Sequence, residues 1–129
     1  MRAIAFVILL EAPENSTIVK LFPAIGEVNG LRSNYPMTII EGEEREFGKC
    51  DVEIKRRRVE PREEVRGEIA RTYMYMDSVY PGKGIISKKN RSMFEEWNRS
   101  DPVDEWECER ARKIERIQGN RNELVFGSC

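Results

Sequence analysis

Three groups of side chains in this sequence have the types and spacing to handle a polyanion. The first is Leu21–Asn34, LFPAIGEVNGLRSN, which holds a Pro, two Gly, a Glu, an Arg and two Asn. Ile25, Val28 and Leu31 recur every three residues, which predicts a short helix over Ala24–Leu31 with those three on one face. Asn29 then lies on another face, turned to a cleft. An amide oxygen is a hard ligand, and Mg²⁺ keeps several waters and needs only one or two ligands from protein. Gly26 and Gly30 weaken such a helix by about 1 kcal/mol each relative to Ala, which suits close backbone approach. The same letters also support a plain Asn29-Gly30 turn between strands. The second group is Lys55-Arg56-Arg57-Arg58, the densest cationic run. It either meets a phosphate backbone or pairs with Glu60, Glu63 and Glu64. The third is Lys88-Lys89-Asn90-Arg91. As the first turn of a helix it puts cations where anions are preferred, which favours a surface role.

One residue type is missing. The sequence contains no histidine, so no side chain has an unshifted pKa near neutrality with which to take a proton from water. Lys or Glu serves only after a large shift, and nothing in the sequence signals one.

The elements that must position these groups are legible from periodicity. At 129 residues the chain has the length of one domain with a real core. Its net charge of -1 excludes a global basic field. Fifteen of the 22 cations are Arg, whose fork matches phosphate and carboxylate oxygens. Ala3–Leu10 is apolar and too short to span a membrane; a buried strand and a minimal signal segment both fit it. Glu11–Thr17 is a polar link, and Pro23 breaks the short apolar piece Ile18–Phe22. Tyr35–Ile40 is a candidate strand, Glu41–Glu46 an acidic loop, and a strand runs from about Lys49 to Ile54. Pro61 is expected to open the main helix, to about Tyr80, with Val65, Ile69, Tyr73, Met76 and Tyr80 as its apolar stripe. Gly67, Ala70 and Met74 widen that stripe, so Arg66 and Arg71 each need a carboxylate, a carbonyl or a phosphate, and buried internal partners are the expectation. A loop at Pro81–Gly84 leads to a helix over Ser87–Asn98, with Phe94 and Trp97 inward. Asp101-Pro102 restarts the chain as cap and first residue of a helix on Val103, Trp106, Ile114 and Ile117, which Gly119 stops after Gln118. Cys50, Cys108 and Cys129 fit no zinc spacing; one bridge with one thiol, or three thiols, are both open.

Gly26-Glu27-Val28-Asn29-Gly30 with Arg32 and Asn34 resembles the metal-binding segment of the bacterial endonuclease I family, nucleases of the ββα-metal class. Arg66–Met76 resembles that family's long central helix. Trp106-Glu107-Cys108-Glu109-Arg110, with Ile114, Ile117 and Gln118-Gly119-Asn120, resembles its C-terminal signature. The three segments occur in the family's order. The family usually has a His-Asn pair before Leu21, where this chain reads Val19-Lys20, and often Asn-Pro at Asn122-Glu123.

The resemblance implies an α-rich α+β domain, a partial ββα-metal fold lacking the catalytic-His hairpin, with residues 1–17 a divergent segment. It implies the C-terminal part of a nuclease, as truncated gene product or fragment. The implied activity is metal-dependent, sequence-nonspecific phosphodiester hydrolysis of DNA, also RNA, with Mg²⁺ or another divalent cation on Asn29. Arg32, Lys55, Arg56, Arg57, Arg58, Lys88, Lys89 and Arg91 would contact nucleic acid. With no imidazole, activity is expected to be impaired or absent. Two further readings are a non-catalytic nucleic-acid-binding relic and a scaffold without ligand. The resemblance also implies a periplasmic or secreted monomer with a disulfide.

Overall fold

The computed structural model describes residues 4–7, 21–24, 26–42 and 51–129, with backbone only at 4–7, 21–24, 26 and 29. The chain is α+β, as its patterning implies, and its described residues fall into two compact units. The polar link Glu11–Thr17, parts of Ala3–Leu10 and of Ile18–Phe22, most of the acidic loop Glu41–Glu46 and the start of the expected strand at Lys49 lie outside the described residues, as does Cys50.

The first unit is built from hairpins and one short helix. Strand β1 (Ile4–Val7) pairs antiparallel with β2 (Leu21–Ala24), Ala5 opposite Pro23. Pro23 therefore sits inside a strand instead of breaking one. A two-stranded sheet has only edges, where a missing N–H is tolerated. Helix α1 (Gly26–Arg32) follows. The Asn29-Gly30 pair is helical, not a turn. Ser33 ends α1 with φ 50°.

Strands β3 (Val52–Lys55) and β4 (Arg58–Pro61) form a second antiparallel hairpin, Val52 opposite Pro61 and Lys55 opposite Arg58. Only Arg56 and Arg57 make the turn, at φ 50° and 60°. Positive φ at both central residues is the type I′ turn, whose twist suits a hairpin and whose usual residues are Asn-Gly. Arginine in this left-handed region costs about 1–3 kcal/mol per residue. Val59 and Pro61 are buried and Arg58 is exposed, the alternation of a strand with one covered face. This corrects the expected helix start at Pro61. Pro61 is the last strand residue, because its place opposite Val52 commits it to the hairpin.

The stretch expected as a strand at Tyr35–Ile40 makes one parallel bridge, Met37 to Val59. Thr38 N donates to Val59 O at 2.8 Å and Val59 N to Pro36 O at 3.1 Å. Ile40 N donates to a carboxylate oxygen of Glu60. These bonds pin the segment after α1 onto β4, around buried Met37 and Val59.

The second unit is helical. A short 3₁₀ turn, Glu63–Val65, leads into α2 (Arg66–Val79). Tyr80 N bonds Met76 O at 3.0 Å and Pro81 then prevents continuation. Helix α3 (Arg91–Ser100) packs against α2. Ile69, Ala70, Tyr73 and Met76 are buried as their spacing predicts, and Tyr75 is buried as well. Tyr73 stacks on Phe94 at 4.8 Å, and Phe94 meets Trp97 edge-on at 5.6 Å.

Helix α4 (Glu105–Gln118) starts later than Asp101-Pro102 suggests. Asp104 is the cap, its Oδ1 accepting from Glu107 N at 2.8 Å. Asp101 is engaged elsewhere: its Oδ2 accepts from Gly67 N at 2.7 Å. Gly119 ends α4 at φ 73°, as expected. Ile114 faces inward, but Trp106 is 47 % exposed against 3 % for Trp97, and Ile117 is also exposed. Helix α5 (Glu123–Phe126) is capped by Asn122. Cys108 and Cys129 are joined by a disulfide, which resolves the cysteine question for that pair.

The centre of this unit is Arg71, only 1 % exposed. Its Nε and Nη2 donate to the two carboxylate oxygens of Glu107, each at 2.7 Å. Its Nη1 donates to Asp101 O at 2.8 Å and Asn98 Oδ1 at 3.1 Å. Asn122 Nδ2 returns a bond to Arg71 O at 3.2 Å. The expectation that Arg71 finds internal partners holds. A Cβ on Gly67 would run into the backbone carbonyl of Asp101 and lie within 2.9 Å of the Arg71 guanidinium, so only glycine fits there. Arg66 meets Glu63 at 3.7 Å and lies over the Trp97 ring.

Candidate nucleic-acid interface

In the first unit the structure brings together the residues around α1 and the β3–β4 hairpin. Asn29 is on α1, with Arg32 three residues on, close to one turn later. Arg32 is 3 % exposed, so it is not a surface cation like those of the hairpin. Tyr35 N bonds Arg32 O at 3.1 Å, and the Arg57 guanidinium lies 5.9 Å above the Tyr35 ring. The hairpin turn is thus tied to the segment that leaves α1.

The run Lys55–Arg58 straddles that turn, Lys55 ending β3 and Arg58 starting β4. Arg56, Arg57 and Arg58 are exposed and make no ion pair among the described residues. Two acids of the expected pairing have other partners, Glu60 accepting from Ile40 N and Glu63 facing Arg66, and neither is paired with Arg56, Arg57 or Arg58 among the described residues.

In the second unit Lys88 and Lys89 are exposed and also make no ion pair among the described residues. The expected first helical turn at Ser87 is corrected. Asn90 N bonds Ser87 O at 3.0 Å in a separate turn, and α3 begins at Arg91. The two lysines therefore stand ahead of the helix, where its dipole penalises them less. Arg91 is bound by Asp77 at 2.7 Å, which holds the Asp77 carboxyl below its usual range.

Sequence reasoning missed two side chains of interest. Tyr35 had no signal, because its relation to Arg57 depends on a bridge between residues far apart in the chain. Glu68 is the shifted carboxyl whose sign the sequence lacks. Its pKa is raised to about 7 by burial first, then by Glu107, Asp104 and Asp101, with Arg110 opposing. That value suits a proton acceptor, but a ring of carboxylates repels a polyanion, so packing sets it. Folded Glu68 binds its proton more tightly than unfolded Glu68. Stability should therefore rise as pH falls from about 7 toward 4.5, and the full penalty applies above 7. Glu68→Gln should be more stable than the parent at pH 8, by on the order of 2 kcal/mol, and level with it near pH 4.5. Urea titrations at the two pH values check this; a gain independent of pH would show that burial and neighbouring charge do not act on this carboxyl.

The donor set for a metal is thin. Among the described residues no three of His, Cys, Asp and Glu gather so as to hold an ion. Mg²⁺ keeps several waters and needs only one or two protein ligands, so an ion here would be held mostly by water and phosphate oxygens, with Asn29 on α1 as the ligand the sequence offers. No described helix is long and apolar enough to cross a membrane.

Comparison with known proteins places these features. Residues 8–127 match the model of the Endonuclease I family. The chain is similar to a periplasmic deoxyribonuclease of Aeromonas hydrophila, 46 % identical over 112 residues, covering 84 % of this chain and 46 % of that protein. It is similar to Endonuclease-1 of Buchnera aphidicola subsp. Acyrthosiphon pisum (strain APS), 46 % identical over 116 residues, 88 % of this chain and 46 % of that protein. An extracellular deoxyribonuclease of Aeromonas hydrophila is 44 % identical over 112 residues, 84 % of this chain and 48 % of that protein. The chain spans about half the length of these curated relatives. With the family match running over nearly all its residues, through α1, the hairpin and all the later helices, the chain belongs to the Endonuclease I family.

Proposed function

We propose that this chain is a nucleic-acid-binding portion of a metal-dependent, sequence-nonspecific endonuclease, and that by itself it hydrolyses phosphodiesters slowly or not at all. The observation that carries the reading is the set of exposed cations without ion pairs among the described residues, Arg56, Arg57, Arg58, Lys88 and Lys89, in a chain of a nuclease family. Counterions displaced from phosphates by such residues give affinity without sequence preference. Lys55 flanks the hairpin cations, while the charge of Arg91 is offset by Asp77. Arg32, buried one turn after Asn29, acts on a phosphate held at α1, not on flanking backbone.

Asn29 would supply a ligand to Mg²⁺ or another divalent cation, which would take its other ligands from water and phosphate oxygens. The bound ion would offset charge developing on the phosphate. The general base is the missing part, and its loss costs on the order of 10²–10⁴ in rate. DNA is the favoured partner, with RNA also accepted because the contacts are to phosphate. The names of the relatives and the disulfide support a periplasmic or extracellular setting, where such bridges persist.

Supercoiled plasmid incubated with the chain and Mg²⁺, beside a chelator control, tests the reading together with duplex binding at low salt. Binding without efficient nicking is the expected result. Rapid metal-dependent nicking would refute the impairment, and no binding at low salt would refute the nucleic-acid reading. If slow nicking is seen, Asn29→Ala should abolish it.

A further inference from the structure

We propose that the tip of the β3–β4 hairpin is a preset phosphate-contacting finger for duplex DNA, in which Arg56 and Arg57 grip the backbone and Tyr35 holds Arg57 in place. The inference rests on the nucleic-acid reading above and specifies where in the first unit the contact is made.

The argument starts from the turn. A two-residue type I′ turn is best served by Asn-Gly, and this chain places two arginines there, both with positive φ. Strain of this kind persists where the surroundings enforce it, and it concentrates at ligand-contacting sites. The surroundings do enforce it: Lys55 faces Arg58 in register, and β4 is fastened on its other edge through Met37. The turn therefore presents its two guanidinium groups from a fixed backbone, which lowers the ordering cost of binding.

The second observation is the state of those groups. Arg56, Arg57 and Arg58 are exposed, and none makes an ion pair among the described residues. Glu60, three residues past the tip, accepts from Ile40 N. Arg57 is steadied over the Tyr35 ring at 5.9 Å. A cation–π contact leaves the N–H donors open, whereas a carboxylate would occupy them. Guanidinium forks suit phosphate oxygens and carry no base information, so the finger grips any sequence.

The decisive variant replaces Arg56→Asn together with Arg57→Gly. It removes both cations and supplies the residues the turn favours. Binding is read by fluorescence anisotropy with a roughly 20-base-pair duplex of mixed sequence across a salt series from about 50 mM. The expected result is a higher melting temperature with affinity on the order of tenfold or more weaker at low salt. The slope of log K against log salt should be shallower by about 1.8, for two phosphates no longer neutralised. Arg56→Lys with Arg57→Lys should keep most of the slope, and Tyr35→Ala should weaken binding without changing it.

If the parent binds and the Asn-Gly variant binds with the same affinity and slope, the finger is refuted while the nucleic-acid reading stands. If the parent does not bind at low salt, that reading fails and takes the finger with it. Anionic phosphatidylserine vesicles are the control for a membrane surface. A variant that loses vesicle binding but keeps duplex binding would also overturn the proposal.

Discussion

Arg71→Ala should cost the helical unit about 3–5 kcal/mol, a large share of the roughly 5–15 kcal/mol of an ordinary domain. The size follows from what stays behind. Glu107 is 5 % exposed and takes both short bonds from Arg71. Without the guanidinium, a buried carboxylate loses the cation bonded to both its oxygens and keeps the electrostatic pull of Arg110, and Asp101 O and Asn98 Oδ1 lose a donor too. Arg71→Lys should recover only part of the loss, because an ammonium cannot bond two oxygens of one carboxylate in parallel. The informative comparison is Arg71→Met with Glu107→Leu. Removing both charges should cost less than removing one, since the penalty lies in the unmatched charge and not in the absent pair. Urea denaturation followed by far-ultraviolet circular dichroism measures all four proteins. An Arg71→Ala protein within about 1 kcal/mol of the parent would mean the network does not hold the unit together.

Cys129→Ser should lower stability by about 3 kcal/mol. The bridge joins Cys108 on α4 to Cys129 after α5, with a separation of 21 residues, so it restrains the unfolded chain over a loop of that length. Reductant should bring the parent down to the curve of the variant and leave the variant where it is. Cys108→Ser should match Cys129→Ser, and the two together should cost no more than one, because each removes the same cross-link. Denaturation midpoints with and without dithiothreitol decide it. A parent indifferent to reductant at an accessible bridge would contradict a stabilising role.

How far the fold can be read in advance depends on which signal an element carries. The core of α2 follows from Ile69, Ala70, Tyr73 and Met76, because helical periodicity survives any later context. Gly119 as a helix stop follows from its freedom at positive φ. The β3–β4 hairpin is hidden for the opposite reason. Its turn is Arg-Arg, which no turn preference selects, so the run reads as a charged stretch and Pro61 as a helix start. Asp101 misleads in a similar way. An Asp-Pro pair is a good helix opening, but a tertiary bond to Gly67 N takes that carboxylate, and Asp104 three residues later caps α4. Of the candidate site, the cationic groups are visible in composition. Their state is not, since whether an arginine meets a glutamate depends on what else binds that glutamate. Glu68 is the same case, its proton affinity being raised by burial first and then by three carboxylates from a segment more than thirty residues away.

The two indoles occupy contrasting environments, Trp97 at 3 % exposure among Tyr73 and Phe94 and Trp106 at 47 % on the outside of α4. Acrylamide should quench Trp106 in the native protein and reach Trp97 only when the helices part. No other tryptophan is present in the sequence, and both lie in the helical unit, so emission reports on that unit. A spectral change on adding duplex would be read first at Trp106, the exposed ring of the pair.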